Sequence, residues 1–334
     1  MNKFKFLIPL ALTIASNLYS QEKTQDYKVT MPEEKVLGSL YNSIDFLDSR
    51  YDTSNFGIVQ LGAFNRKAQV VTKTHLSTQF TEVLKALNEE GAGNGRLLIH
   101  LRHFNFAEIT GATKERGYCH VKADLYANQQ DRYSLLNSID TVVVIKSMDV
   151  TKPMFRRGSE LLVKFIASAL QLSPSQNTGF TYTELLKMDD IEKQSLPLFT
   201  TIDLKDGLYK TYESFKQQQP DELVKLEFKK DKISAVQIVN ADGSSSKIKS
   251  SEIYALVDKN KAYIGTDYGY YPLLKVDNDL RFTGKAKVSA STGDVIAASV
   301  FFGLIGGLIA SDANAVFEMK IDHNNGGFIR LKEV

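Results

Sequence analysis

An uncharged run, VIAASVFFGLIGGLIAS, occupies positions 295–311 between two segments that alternate like β-strands. An aspartate closes each end, Asp294 on one side and Asp312 on the other. Small residues recur along the run at a spacing of four, which places them on one stripe of a helix. These residues are Ser299, Gly303, Gly307 and Ser311. Such a stripe lets another backbone approach closely, as in packed membrane helices. The sequence therefore predicts a helical insert at 294–312 that makes a close contact.

The length of this run leaves its surroundings open. At ~1.5 Å per residue a helix of this length reaches roughly 26 Å, against about 30 Å for the hydrocarbon core of a bilayer. No Trp or Tyr flanks the run, and no Lys or Arg stands beside it to reach the membrane interface. Three placements remain: packing on its own domain or in an oligomer, partial membrane insertion, and a complete span.

The first 20 residues have the parts of a secretory signal peptide. Lys3 and Lys5 form a charged beginning, residues 6–15 an apolar centre, and residues 16–20 a short polar end. The apolar centre is too short to span a membrane. No cysteine stands directly after it, which argues against lipid attachment. We expect export with cleavage after Ser20, a retained anchor being the alternative.

Composition bounds the remaining chain. The single cysteine, Cys119, excludes an intramolecular disulfide framework, so stability must come from hydrophobic cores. The net charge is +2, and Lys and Arg are interspersed with Asp and Glu, which gives no support to a nucleic-acid partner. The chain of 334 residues is long enough for two domains after loss of the leader.

The first half, 21–173, alternates between two kinds of periodicity. Residues 76–88 and 159–172 carry apolar side chains at helical steps. Strand-like runs occupy 96–106, 118–128 and 139–147. Long strands with two helices predict an antiparallel sheet covered on one face, an α+β domain.

This element order over residues 41–172 resembles that of the auxiliary lipoproteins of Gram-negative ABC transport systems. The resemblance rests on element order and on no motif. It implies an assembly role in the cell envelope and carries over no catalytic residue. The chain departs from those proteins in lacking their lipobox cysteine.

The second half begins after a linker with a short helix at 174–202. Residues 203–334 alternate as a β-meander, with turns such as DKN and DND, which predicts a β-rich domain interrupted by the apolar insert. The stretch DGLYKTYESF within 203–287 is similar to a recurring segment of uncharacterised exported Gram-negative proteins, which have no assigned chemistry. These resemblances imply a periplasmic or outer-membrane-associated location.

No metal, cofactor or catalytic motif is recognisable. His100 and His103 are three apart and are expected on opposite faces of a strand, so they cannot share a metal. His120 adds a candidate ligand without a carboxylate at suitable spacing, and its neighbour Cys119 is expected in the core. Arg50, set among aspartates, is either a binding loop or a locally pinned turn, and the residues favour the turn.

The aromatic residues of the second half offer one candidate ligand surface. Five tyrosines cluster in the predicted meander, namely Tyr254, Tyr263, Tyr268, Tyr270 and Tyr271. They either line a groove for a ligand such as a glycan or pack across strands.

Together these patterns predict a non-enzymatic exported cell-envelope protein. Its interaction or assembly role would use the 295–311 helix for contact with a protein partner, a second copy or the membrane. One alternative is a ligand-binding protein that uses the tyrosine-rich sheet. Another is a hydrolase whose site is built from residues distant in sequence, since catalytic groups are recognised by geometry.

Overall fold

The computed structural model of the protein describes residues 23–62, 66–110, 115–175, 179–240, 242–266, 268–285 and 316–334. The predicted leader at 1–20 and the predicted helix at 295–311, with Ser299, Gly303, Gly307 and Ser311, lie outside these residues. The fold is α+β with a β-rich second part, as the sequence predicted. It contains two large sheets, each with its own hydrophobic core.

The first sheet follows the order β1-β4-β3-β5-β6-β7, and β2 also pairs with β5. Its strands are β1 Lys23–Asp26, β2 Tyr41–Asp48, β3 Gly57–Leu61, β4 Arg66–Val71, β5 Gly95–Thr110, β6 Glu115–Gln129 and β7 Arg132–Ser147. The three long strands β5, β6 and β7 are antiparallel neighbours. The strands predicted from alternation at 96–106, 118–128 and 139–147 are thus confirmed and extend further than predicted.

Two helices cover one face of this sheet. Helix α1, Leu76–Leu87, buries the apolar side chains that predicted it, among them Phe80 and Leu84. Helix α2, Thr151–Ala169, begins earlier than the predicted 159–172, because Met154 and Phe155 also pack into the first core. Pro153 stands in its first turn, where a missing N–H breaks no helical hydrogen bond.

A group of short helices connects the two sheets. They are α3 Tyr182–Leu185, α4 Met188–Lys193 and α5 Pro197–Thr200, and α6 Tyr212–Lys216 follows strand β8 Gly207–Tyr209. The Thr181 side chain caps α3 by accepting a hydrogen bond from the backbone of Glu184. Pro197 opens α5, since its fixed φ suits a first helical turn.

The second sheet is an antiparallel meander with the order β17-β16-β15-β14-β13-β12-β8. Between β8 and β12 a small sheet forms from β9 Val224–Lys229, β10 Lys232–Val239 and β11 Ser245–Lys247. The remaining strands are β12 Ala255–Asp258, β13 Lys261–Thr266, β14 Gly269–Val276, β15 Asp279–Gly284, β16 Phe317–Ile321 and β17 Phe328–Glu333. The pairs Lys259–Asn260 and Asp277–Asn278 have positive φ at both residues, as tight hairpin turns require, which confirms the predicted DKN and DND turns.

The apolar insert interrupts this meander between direct neighbours. β15 and β16 are hydrogen-bonded, and Gly284 stands opposite Phe317. The two ends of the insert are therefore joined to neighbouring positions of one sheet. No helix among the described residues is both long enough and apolar enough to cross a membrane.

Candidate functional site

Charged side chains from both halves of the chain meet around the short helix α4, between the two large sheets. Arg102 on β5 is at the centre, with only 6% of its side chain exposed. Its guanidinium donates to both carboxylate oxygens of Glu192, at 2.6 Å each, and to Asp189 at 2.5 Å. We name this cluster the charged seam and define it as Arg102, Lys122, Asp124, Asp189, Glu192, Lys193, Asp279, Asp322 and His323.

A β-bulge places Arg102 in the seam. Leu101 pairs with Ala123 and His103 pairs with Lys122, so Arg102 is an extra residue on β5 without an opposite neighbour. Leu101 points into the first core, and the bulge turns both Arg102 and His103 to the other face.

The bulge also overturns one prediction made from strand alternation. His100 stands opposite Asp124 and His103 opposite Lys122, and these two partners lie on one face of β6 because they are two residues apart. His100 and His103 therefore share a face. The expectation of opposite faces was wrong because the inserted residue shifts the alternation by one position.

The pKa values of the seam carboxylates are shifted in different directions. Burial opposes ionisation of Glu192, but the hydrogen bonds from Arg102 and His323 hold its pKa well below the ordinary value. Burial also acts against Asp189, yet Arg102 and then His323 lower its pKa to about 2. For Asp124 burial prevails over Ser138 and Arg102 and raises the pKa. Two of the three carboxylates next to Arg102 are thus held firmly ionised.

The second half reaches the seam through the turn between β16 and β17. The Nε2 atom of His323 lies 2.6 Å from Glu192 Oε2, and Asn324 donates to the same oxygen at 3.3 Å. Two buried hydroxyls position this turn, because Tyr212 donates to the His323 carbonyl at 2.6 Å and Tyr254 to the Gly326 carbonyl at 2.8 Å. The turn therefore presents His323 from a fixed backbone.

A second contact ties α4 to the beginning of β15. Lys193, itself buried, donates to Asp279 at 2.7 Å, and Lys320 lies 3.6 Å from the other Asp279 oxygen. Asn278 donates to Asp190 at 3.1 Å. Helix α4 is thus bonded to the first sheet on one side and to the second sheet on the other.

The seam contains one set of side chains that resembles a metal site. Ligand atoms of Asp189, Glu192 and His323 lie within 4.8 Å of one another. The Arg102 guanidinium, however, already lies within hydrogen-bond distance of both carboxylates. A cation would have to displace that buried positive charge, so the donor set fits ion pairing between the sheets better than metal coordination.

Cys119 and His120 occupy opposite faces of β6, as expected for neighbours in a strand. Cys119 is fully buried in the first core, and burial raises the pKa of its thiol, which keeps it protonated. His120 lies on the seam side, with its Nε2 atom 2.7 Å from Asp140 and its ring 4.3 Å from that of His103. Sequence spacing missed the Asp140 partner, because only the pairing of β6 with β7 brings it near.

Arg50 is part of a pinned turn. It donates to both oxygens of Asp48 at 2.9 Å and to the Asn55 carbonyl at 2.8 Å, and its guanidinium lies over the Phe56 ring. These local partners agree with the interpretation favoured by the sequence.

The five tyrosines do not form one surface. Tyr254 and Tyr271 pack against the second core, whereas Tyr263 and Tyr270 pack toward the small sheet on the opposite face. Tyr268 lies exposed beside the turn between β13 and β14. Because neighbouring strand residues alternate between faces, Tyr270 and Tyr271 lie on opposite faces of β14.

Comparison with known proteins shows little similarity in sequence or structure. No protein-family model matches the chain, and no curated protein matches it. A solved structure of a DUF330 family protein from Xanthomonas campestris is similar in part, with 10% sequence identity and a TM-score of 0.28. The similarity covers 50% of this chain and 99% of the other.

Proposed function

We propose that the protein is a non-enzymatic cell-envelope protein with an interaction or assembly role, in which the described body presents the segment 286–315 to a partner. The observation that carries this proposal is the pairing of Gly284 with Phe317. Strands so paired need only a tight turn, and Asp277–Asn278 provides one between β14 and β15 of the same sheet. The additional chain is therefore not required to build the sheet.

The composition of the segment indicates what it contacts. It contains the uncharged run 295–311 with its stripe of small residues. An apolar run of this size demands a partner unless it folds back, because soluble proteins rarely expose large contiguous apolar patches. Contact with a second copy or with a membrane satisfies this demand, and the predicted leader agrees with an envelope location.

The charged seam supports a mechanical role for the body. Arg102, Glu192 and His323 are engaged with one another, and Lys193 is engaged with Asp279. A catalytic site needs groups directed at a substrate, whereas these groups join the two sheets. The seam thus fixes the second sheet to the first, and the pairing of β15 with β16 holds the two ends of the segment side by side.

The test replaces residues 286–315 by an Asn-Gly turn. Because the sheet does not need the segment, we expect the variant to keep its circular dichroism spectrum and to unfold cooperatively. We also expect it to lose the membrane association of the full-length chain, or its assembly beyond a dimer, measured by alkaline washing of membranes and by sedimentation. A variant that keeps both properties of the full-length chain contradicts the proposal.

A paired substitution examines the stripe itself. Gly303→Leu with Gly307→Leu adds bulk on the stripe and should weaken the association. The matched control, Ala297→Leu with Ala298→Leu, adds apolar volume on other faces of the predicted helix and should leave the association unchanged. Equal effects of the two pairs would show that apolar bulk matters and the stripe does not.

A further inference from the structure

The outer edge of the first sheet is a long strand with few partners. β7 is 16 residues long and stands last in the sheet order. Among the described residues its outer side pairs only at Tyr133, which exchanges hydrogen bonds with Phe180. Residues 135–147 therefore direct half of their backbone N–H and C=O groups away from β6 without a described strand to receive them.

The burial of this edge agrees with its lack of neighbours. β6, in the interior of the sheet, buries nearly every residue between Gly117 and Ala127. β7 buries only Ser134, and its apolar run 141–145 is half-buried. Natural edge strands of this length are usually blunted by a proline, a bulge or a covering element. β7 has one bulge, at Leu136, and the run TVVVI beyond it has neither bulge, proline nor glycine.

We propose that β7 of a second copy of this chain pairs antiparallel with β7, about a twofold axis midway between the two Val143 residues. The continued sheet would then carry the α2 helices of both copies on one face. This interface does not involve the segment 286–315, so it stands or falls independently of the proposed function.

Side-chain alternation limits where the axis can lie. Val143 and Ile145 pack toward the first core, whereas Asp140 shares the opposite face with His120. Residues that face each other across an antiparallel pair point to the same side of the sheet. If the axis were level with a point midway between two successive residues, core-facing side chains would stand opposite seam-facing ones. The axis must therefore be level with a residue.

Charge then selects the residue. With the axis at Val143, Asp140 faces Lys146 of the second copy, and the same pair recurs on the other side of the axis. An axis at Val142 places Lys146 against Ser138, and an axis at Val144 places it against Val142. Only the register at Val143 pairs opposite charges around the apolar run 141–145, and opposite charges across strands stabilise a pair.

Both charged groups are suited to this contact. Lys146 is exposed and has no ion pair with any described residue. Asp140 uses Oδ1 for His120, which leaves its second oxygen for a lysine. Burial opposes its ionisation, but the hydrogen bond from His120 holds the pKa of Asp140 below the ordinary value, so it carries its charge at neutral pH.

The first test is a charge exchange followed by sedimentation of the full-length chain. We expect the wild type to dimerise and Lys146→Asp to weaken dimerisation ~tenfold, since two attractive pairs become repulsive. The double variant Asp140→Lys with Lys146→Asp should restore the dimer, because the charges face each other again. Lys225→Asp, the same change on an exposed strand residue of the small sheet, should have no effect.

The second test is a symmetric cross-link. Val143→Cys places two thiols opposite each other, within the ~4.5–5.5 Å between Cβ atoms that a cross-strand pair provides, and should form a disulfide-linked dimer under mild oxidation. Ile139→Cys is the matched control on the same face, because in this register its two copies lie ~27 Å apart. The native Cys119 is fully buried and does not compete.

Four results of these two tests would overturn the proposal. They are a wild-type chain that stays monomeric at ~100 μM, a dimer indifferent to Lys146→Asp, a charge exchange that fails to restore the dimer, and a Val143→Cys variant that forms no cross-link. Loss of the dimer on replacement of 286–315 with β7 intact would also overturn it and would assign self-association to that segment.

Discussion

Glu108 gives the first half of the protein a pH-dependent stability. The residue is 4% exposed, and its carboxylate accepts hydrogen bonds from Thr151 Oγ1 at 2.5 Å and from the Gln60 backbone N–H at 2.7 Å. Burial nevertheless raises its pKa from 4.5 to about 7, because the two donors do not replace the lost hydration.

The sign of the effect follows from this raised pKa. Since the folded form holds the proton more tightly than the unfolded form, the contribution of Glu108 is complete below pH 4.5 and is lost as pH rises through about 7. The shift corresponds to a cost of roughly 3 kcal/mol above pH 7 and of less than about 1 kcal/mol at pH 5.

Glu108→Gln removes this cost. The amide imitates the protonated acid, since its oxygen accepts from Gln60 and its NH₂ donates to the Thr151 hydroxyl. We expect the variant to match the wild type at pH 5 within about 1 kcal/mol and to exceed it by roughly 3 kcal/mol at pH 8.

Urea denaturation at pH 5 and pH 8, followed by circular dichroism, measures this difference. Glu90→Gln, which changes an exposed carboxylate, is the control and should change the free energy of unfolding equally at both values of pH. A gain from Glu108→Gln that differs by less than about 0.5 kcal/mol between pH 5 and pH 8 would refute the reasoning, because it would show that the buried carboxylate ionises without cost.

Two further substitutions test the seam and the first core, with the free energy of unfolding as the measurement. Arg102→Met should lower the free energy of unfolding by about 2–3 kcal/mol, which is below the range for fully buried pairs because Glu192 is partly exposed. Arg156→Met, at an exposed helix pair, should change it by less than about 0.5 kcal/mol. Equal effects would show that the seam contributes no more than a surface ion pair. Gly158→Ala should cost about 1–3 kcal/mol, because its Cβ would stand 2.9 Å from the Cys119 sulfur in a packed core. A neutral result would mean that α2 can move away from the sheet.

Local periodicity was enough to predict much of the fold. Helix α1 followed from apolar residues at helical steps, and the meander followed from alternation between tight turns. These signals are local to one element, because a helix or strand that buries one face carries apolar residues at the spacing of that face. The α+β class and the β-rich second part could therefore be predicted without long-range information.

The charged seam could not be predicted in this way. Arg102, Glu192 and His323 are far apart in the chain, and only the packing of the two sheets brings them together. No glycine marks the bulge at Arg102 in the sequence, so strict alternation assigned His103 to the wrong face of β5. The prediction of one tyrosine surface was wrong for a related reason. A count of aromatic residues does not show how strand alternation divides them between the two faces of the sheet.

The pairing of Gly284 with Phe317 has a consequence for the order of folding. The entropic cost of closing a connection rises by about 0.6 kcal/mol with each doubling of its length, so a connection of ~30 residues costs roughly 2 kcal/mol more than a two-residue turn. β15 and β16 should therefore join late, after the hairpins that tight turns close. A partner that holds both ends of the connection would remove part of this cost, and its binding would raise the melting temperature of the second sheet.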